Sequence, residues 1–281
     1  SNPLVSIIIP FKDQSDLLKK CLDSILLLST YSNFEIIGIS NNSVEQETFD
    51  TMAQYSNRDS RISFFTYNTK FNYSEINNFA ISTYAKGKHL ILLNNDIEII
   101  TPNWIEELLS YSQRKEIACV GAKLYYPNDT IQHAGVIVGL GGVAGHSHKY
   151  FPRYSRGYFD RLNIVQNISA VTAALLMIKR SVFDELGGLN EKELPIAFND
   201  VDLCLRAIET GYQNIFTPFC EAYHHESVSR GHEDTPEKIL RFQSEATFFK
   251  HRHQAFLNRG DAFYNPNLTL DSENFDYKVN A

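Results

Sequence analysis

The chain has 281 residues, of which 43% are hydrophobic and 21% charged, an ordinary globular composition that excludes disordered and fibrous classes. Its 26 basic and 33 acidic residues leave a net charge of −7, so it lacks the overall basic field of a nucleic-acid binder, and a phosphate ligand would need a metal or a local basic pocket. No stretch reaches the roughly 20 consecutive apolar residues of a membrane-spanning helix. Pro3 leads straight into an apolar run without a basic leader, and Ser1 and Asn2 read as a tag remnant on a domain cut from a longer protein.

In chain order, residues 5–10 (VSIIIP) are a β-branched run stopped by proline and read as a buried strand. Ser15 or Asp16 then caps a helix with Leu18, Cys21, Leu22, Ile25 and Leu26 at helical spacing. Residues 35–40 give a second strand, followed by the polar turn Asn41, Asn42 and Ser43. Residues 45–55 read as a helix and 62–67 as a third strand. Ser74 caps a helix to about residue 85, with Gly87 as its stop. Residues 89–93 (HLILL) form a fourth strand that ends in Asn94, Asn95 and Asp96, and Thr101 with Pro102 starts another helix. Strand alternating with helix in this way predicts a parallel sheet with helices on both faces. Such sheets bind ligands beyond the carboxyl ends of their strands.

The second half is less regular. Residues 117–126 and 173–179 read as strands. Residues 135–145 hold five glycines among apolar residues, which suggests flexible or tightly turned backbone. A helix at 200–210 carries Val201, Cys204, Leu205 and Ile208 and ends at Gly211, and residues 236–253 read as one amphipathic helix. Without a repeat or a linker, one domain with a C-terminal extension is the expected organisation. Cys21, Cys119, Cys204 and Cys220 form no CxxC pair, so buried free thiols and a reducing cytoplasm are expected.

Three stretches offer chemistry. Asn94, Asn95 and Asp96 place amides and one carboxylate at the ligand edge, enough to hold a hard cation together with a diphosphate; a plain polar turn competes with that reading. Asp200 sits at a helix N-terminus, where the dipole favours the ionised form a base needs; an ordinary cap is the competing reading. His224 and His225 adjoin at a strand end and cannot point the same way, so one could reach a metal while the other packs; a satisfied polar group is the competing reading. Six of the nine histidines lie between His133 and His232, yet no Cys/His spacing supplies a structural zinc site. Arg153, Arg156 and Arg161 either grip a phosphate or belong to a solvated loop. The aromatic-rich stretch 150–158 reads equally as a lid, an acceptor platform or ordinary packing. Glycine-rich dinucleotide and phosphate loops and the nucleophile elbow are absent.

These stretches occur in one order with VSIIIPFKD, FNYSEINNFAISTYAKGKHLILLNND, IQHAGVIVGLGGVAGHSH, SAVTAALLMIKRSVFDELGGLNE, AFNDVDLCLRAIETGY and YHHESVSRG. Together they resemble family 2 glycosyltransferases, nearest the bacterial branch that builds rhamnose-containing O-antigen and other surface polysaccharides. The resemblance covers residues 4 to about 232. It implies an α/β GT-A fold, Rossmann-like, with a mostly parallel sheet flanked by helices. Residues 1–232 would be the GT-A domain, with a nucleotide-binding half to about 115 and an acceptor half from about 116. Residues 233–281 would be a C-terminal helical extension packed on it.

The resemblance also implies roles. Pro10, Phe11 and Asp13, then Asn41, Asn42 and Asn78, would lie near the nucleotide. Asn94, Asn95 and Asp96 take the DxD position, with Asp96 as ligand to Mg²⁺ or Mn²⁺ and His224 completing that site, His225 being the alternative. Asp200 matches the acid of the family's ED motif, the catalytic base, and Gly187 with Gly188 matches the GG before it. Three positions depart from the pattern: the DxD position keeps one acid, Ser40 stands where an Asp usually ends the second strand, and Asn199 replaces the Glu of ED. The expected activity is inverting transfer of a hexosyl group, a rhamnosyl group being the narrower option, from a UDP-, dTDP- or GDP-linked sugar to a saccharide or lipid-linked glycan. The expected setting is the cytoplasm, at the inner membrane face where the acceptor is lipid-linked, with further domains on a longer chain. The competing classes are a catalytically degenerate nucleotide- or glycan-binding module of a larger synthase, and a nucleotidyltransferase. The latter would carry a glycine-rich loop after the first strand, which residues 10–15 lack.

Overall fold

The computed structural model describes residues 2–226 and 235–278. The end of the YHHESVSRG stretch and His232 lie outside the described residues. The first half alternates as its apolar patterning requires: β1 (Val5–Phe11), α1 (Ser15–Leu28), β2 (Phe34–Ser40), α2 (Gln46–Arg58), β3 (Ile62–Thr66), α3 (Tyr73–Thr83) and β4 (His89–Leu93). The chain continues through β5 (Ile97–Ile99), α4 (Trp104–Ser112), β6 (Ile117–Tyr125), β7 (Ile131–His133), β8 (Val136–Val138), β9 (Ala144–His146) and β10 (Gln166–Ile168). It ends with β11 (Leu175–Lys179), α5 (Arg180–Glu185), α6 (Asn199–Glu209), β12 (Gln213–His224), α7 (Pro236–Arg252) and α8 (Gln254–Arg259).

The main sheet has the order β10-β12-β6-β11-β4-β1-β2-β3. The pairings make β3, β2, β1, β4, β6 and β12 run one way, while β11 and β10 oppose them. The expected mostly parallel sheet is therefore present, with helices on both faces. One face packs α1 and α4 over Ile7, Ile9, Leu22, Trp104 and Met177. The other packs α3, α5 and α6 over Ile8, Leu92 and Ile178. Strands covered on both faces read as continuous apolar runs, which is why β1 and β4 were legible.

Several boundaries differ from the expectations. Gln14, in a left-handed conformation, precedes α1, so Ser15 is the first helical residue rather than the cap. Asn72, not Ser74, caps α3 by accepting from the Glu75 N–H, while the Ser74 hydroxyl donates to the Leu194 carbonyl. Gly87 does not stop α3, which ends at Thr83. It lets the chain pass against β1, where its N–H donates to Ser6 Oγ at 2.8 Å and a Cβ would meet Ser6 N at 2.5 Å. The glycine-rich stretch is a hairpin of β8 and β9 around a turn at Leu140–Gly142.

The C-terminal residues pack on the same body. Phe249 and Phe256 join the apolar layer containing Val201 and Leu205 of α6. The fully buried His253 ring bonds Asp202 through Nε2 to Oδ1 at 2.8 Å, and Arg206 bonds the other carboxylate oxygen at 2.8 Å. Burial alone would push the Asp202 carboxyl up, but the His253 hydrogen bond and the Arg206 charge hold it below the usual range. Tyr264, Leu268 and Phe275 cover Ile137 and Leu140 of the hairpin. All four cysteines are free and buried, as expected.

Four histidines are held neutral by burial: His89 and His146 are pushed down to about 4, His148 to about 3, and His133 well below its ordinary value. Between pH 6.5 and 4 the unfolded chain therefore binds more protons than the folded one, so stability falls as pH falls. Each histidine contributes a slope of up to about 1.4 kcal/mol per pH unit. Urea unfolding at pH 7 and pH 5 should show a marked loss at pH 5; equal stability would contradict neutral burial of these rings.

Candidate active site

The carboxyl ends of β1, β2, β4, β6 and β12 meet at one edge of the sheet. Two neighbouring chambers open there and share Tyr73, Asn94 and Ile196 in their walls. The larger, about 460 Å³, is lined by Pro10, Phe11, Lys12, Asn41, Asn42, Asn95 and Asp96, with Lys238 and Arg241 from α7. The smaller, about 160 Å³, is lined by Gln132, His146, Thr172, Asn199, Asp200, His224 and Glu226 among others.

The two chambers meet at Asp96 and His224. The short β5 pairs antiparallel with the end of β12, setting Ile97 opposite His224 and Glu98 opposite Tyr223. That register brings Asp96 Oδ1 to 3.2 Å from His224 Nε2, with both side chains buried. Asn94 Nδ2 approaches the same ring nitrogen at 3.4 Å. His225 turns away: its Nε2 pairs with Glu98 at 2.8 Å, and its N–H donates to the Asp96 carbonyl. Of the two adjacent histidines, His224 is the one that faces the acid.

Among the described residues no group of three or more His, Cys, Asp or Glu is arranged to hold a metal. A buried carboxylate oxygen facing an imidazole, with His224 Nδ1 lacking a hydrogen-bond partner among the described residues, still fits a hard divalent cation that takes its other oxygens from a bound diphosphate and water.

Asp200 lies in the first turn of α6. Its Oδ2 accepts from the Ala173 N–H at 2.9 Å and its Oδ1 from the Val201 N–H at 2.8 Å. Two peptide donors at the helix N-terminus fix the carboxylate in place. Each oxygen keeps a further lone pair for a ligand proton.

The other expected nucleotide residues divide. Pro10, Phe11, Asn41, Asn42, Asn94 and Asn95 all line the larger chamber. Asn41 and Asn42 spend their amide groups on the Tyr67 and Thr69 carbonyls, and so fix the loop after β3. Asp13 is committed elsewhere: its Oδ1 accepts from the Val44 and Glu45 N–H groups, ahead of α2. Asn78 stands apart from this group. It lies outside both chambers and clamps α3 to the loop after α5, donating to the Leu189 carbonyl and Glu191 and accepting from the Leu189 N–H at 2.9 Å. Gly188, at φ +73°, passes so close that a Cβ would stand 2.7 Å from Asn78 Oδ1. The GG motif is thus read here by a structural amide.

The arginines of the 150s are equally occupied. Arg153 pairs with Asp129 and lies over the Tyr125 ring at 4.6 Å, Arg156 pairs with Asp160, and Arg161 lies over the Phe275 ring at 5.8 Å. Tyr150 stacks on Tyr126, and Tyr158 on Phe275.

Sequence reasoning missed Lys12, Lys238 and Arg241, the local basic pocket that an acidic chain requires. Their signal was present: Lys12 lies inside the first matching stretch, and Lys238 and Arg241 stand three apart on one helix, which places them on one face. Gln132 and His146 were missed because their three-residue strands are too short to show a period.

Replacing Asn78 by alanine removes one amide from three partners. It should cost about 1–3 kcal/mol of stability while leaving nucleotide binding unchanged. Chemical unfolding beside nucleotide titration checks both halves.

Residues 6–187 match the family described as Glycosyl transferase family 2. The chain is 50% identical over 273 residues to a Sinorhizobium fredii protein described as uncharacterized protein y4gI, covering 97% of this chain and 30% of that protein. It is 40% identical over 270 residues to the O-antigen biosynthesis protein RfbC of Myxococcus xanthus, covering 95% of this chain and 20% of that protein. The chain thus spans less than a third of either curated relative. Two solved structures share the fold at low identity. One is the mannosyltransferase PcManGT from Pyrobaculum calidifontis in complex with GDP-Man and Mn²⁺ (TM-score 0.65, 13% identity, 90% of this chain and 65% of that one). The other is GalNAc-T7 with UDP, GalNAc and Mn²⁺ (TM-score 0.68, 14% identity, 90% and 51%). The fold is GT-A, and the chain belongs to glycosyl transferase family 2.

Proposed function

We propose that this chain is the catalytic glycosyltransferase unit of a bacterial surface-polysaccharide protein, moving a sugar from a nucleoside-diphosphate donor to a hydroxyl of a glycan or lipid-linked acceptor with inversion. The observation that carries it is the adjoining pair of chambers: Asp96 stands with three cations in one, the anchored Asp200 carboxylate stands in the other, and His224, on the Asp200 side, faces Asp96 where the two meet. RfbC's name supports an O-antigen setting, and the metal-bound complexes of PcManGT and GalNAc-T7 support a divalent cation and a nucleotide sugar. The remaining length of the relatives leaves room for partner domains. No helix of the described residues is long and apolar enough to cross a membrane. Action at the cytoplasmic face belongs to the same proposal.

In this reading Pro10, Phe11, Asn41 and Asn42 form the walls around the nucleoside. Lys12, Lys238 and Arg241 meet the diphosphate charge. Asp96 and His224 would hold Mg²⁺ or Mn²⁺, which when bound supplies Lewis-acid stabilisation of the departing diphosphate. Asp200 takes the proton of the attacking hydroxyl as the new C–O bond forms and the bond to the diphosphate breaks. The Ala173 and Val201 N–H groups hold that carboxylate still, so its geometry is set before the substrate arrives.

A thermal-shift panel of UDP-, dTDP- and GDP-sugars with Mn²⁺ or EDTA tests the donor half. A ligand at 100 times its Kd adds about 2.7 kcal/mol of apparent stability. One nucleotide should raise the Tm in a metal-dependent way, and Asp96→Ala should abolish the metal-dependent part. Asp200→Asn should keep the shift and lower transfer by about 100-fold or more. An Asp200→Asn protein with most of its transfer rate would remove Asp200 from the role of base.

A further inference from the structure

His133 and His146 are two rings that the transfer chemistry above does not use. His133 is fully buried. Its Nε2 accepts from the backbone N–H of Gly135 at 3.3 Å and of Thr172 at 3.4 Å. A neutral ring that accepts at Nε2 carries its proton on Nδ1. His133 Nδ1 lies 2.8 Å from His146 Nδ1, with the rings nearly perpendicular. His133 therefore donates, His146 Nδ1 accepts, and the neutral His146 carries its own proton on Nε2. Burial keeps both rings neutral against protonation near pH 7.

The sequence builds this lock from backbone. Gly135, at φ +93°, turns its N–H back onto the ring two residues earlier, and a Cβ there would stand 2.0 Å from Ile168 Cδ1. Thr172 belongs to the segment that leads into Ala173, the donor to Asp200. One stretch of chain thus fixes both the histidine tautomer and the carboxylate. His146 lines the same small chamber as Asp200. Its Nδ1 is taken by His133, so Nε2 is the nitrogen left for a ligand.

We infer that His146 is an acceptor-binding residue whose Nε2–H donates to a sugar oxygen next to the hydroxyl that Asp200 deprotonates, and that His133 is the positioning residue that fixes this tautomer. A carboxylate and an imidazole donor lining one small chamber suit two neighbouring hydroxyls of a pyranose: one gives its proton to Asp200, and the oxygen of the other accepts from His146. The inference rests on the transferase reading and names the acceptor as a vicinal diol.

The test is ¹⁵N-histidine NMR of the whole chain at pH 7. The protein is saturated with Mg²⁺ and whichever of UDP, dTDP or GDP raises its Tm, then titrated with methyl pyranosides that have vicinal hydroxyls and with their deoxy counterparts. His146 should appear as the Nε2–H tautomer. Its Nε2 signal should move with the diols and not with analogues lacking one of the two hydroxyls. His133→Asn, which keeps a donor near the Nδ1 position, should preserve that tautomer, and His133→Leu should mix it. Failure of all three nucleotides to bind overturns the transferase reading and this inference with it. Nucleotide binding with an Nδ1–H His146, or with no pyranoside-dependent change at Nε2, overturns this inference alone.

Discussion

The approach of Asp96 to His224 is the constraint on which the rest of the site depends. The two residues are 128 positions apart in sequence order, one after β4 and the other at the end of β12, and their side chains stand 3.2 Å apart. The three-residue strand β5 sets that distance by pairing with β12. A slip of one residue in this register would turn His225 toward the acid and His224 toward Glu98, because side chains alternate across a strand. Asp96 would then lose its His224 partner at the junction of the two chambers.

Charge is arranged around this pair against the sign of the whole protein. A chain with net charge −7 offers a diphosphate little attraction at long range. Lys12, Lys238 and Arg241 correct that locally. Two of them stand on α7, whose position is itself fixed by a buried carboxylate. Glu245 accepts from the Ile196 and Ala197 N–H groups at 2.7 and 3.0 Å, and Arg241 bonds its other oxygen. Ile196 lines both chambers. The C-terminal helix is thereby coupled to the wall between the two chambers, and the same contact that places its cations also orders that wall.

The parallel half of the sheet was legible because β1, β2 and β4 are covered on both faces and so appear as unbroken apolar runs. Asp96 and His224 could be placed at the sheet edge because each lies at or just beyond the end of a strand, and Asp200 because it opens a helix. The short strands were hidden: β5, β7, β8 and β9 have three residues each, too few for a period. With β5 went the reason for preferring His224 over His225. With β7 and β9 went the His133–His146 pair. A helix carries residues on all sides, and motif position alone did not show that Asn78 is held by the Leu189 backbone and Glu191 in the loop after α5. Polar residues that hold backbone, such as Asp13 and Asn41, look the same in sequence as those that hold ligand.

The central claim is that Asp96 and His224 form a donor site that works with a divalent cation. It is tested most directly by following release of free sugar and nucleoside diphosphate from UDP-, dTDP- and GDP-sugars, with water as the acceptor, in Mn²⁺ and in EDTA. The account predicts slow hydrolysis of one nucleotide class that needs the metal and is lost in His224→Ala but kept in His225→Ala. Hydrolysis that is indifferent to EDTA, or equal in the two histidine variants, would contradict it.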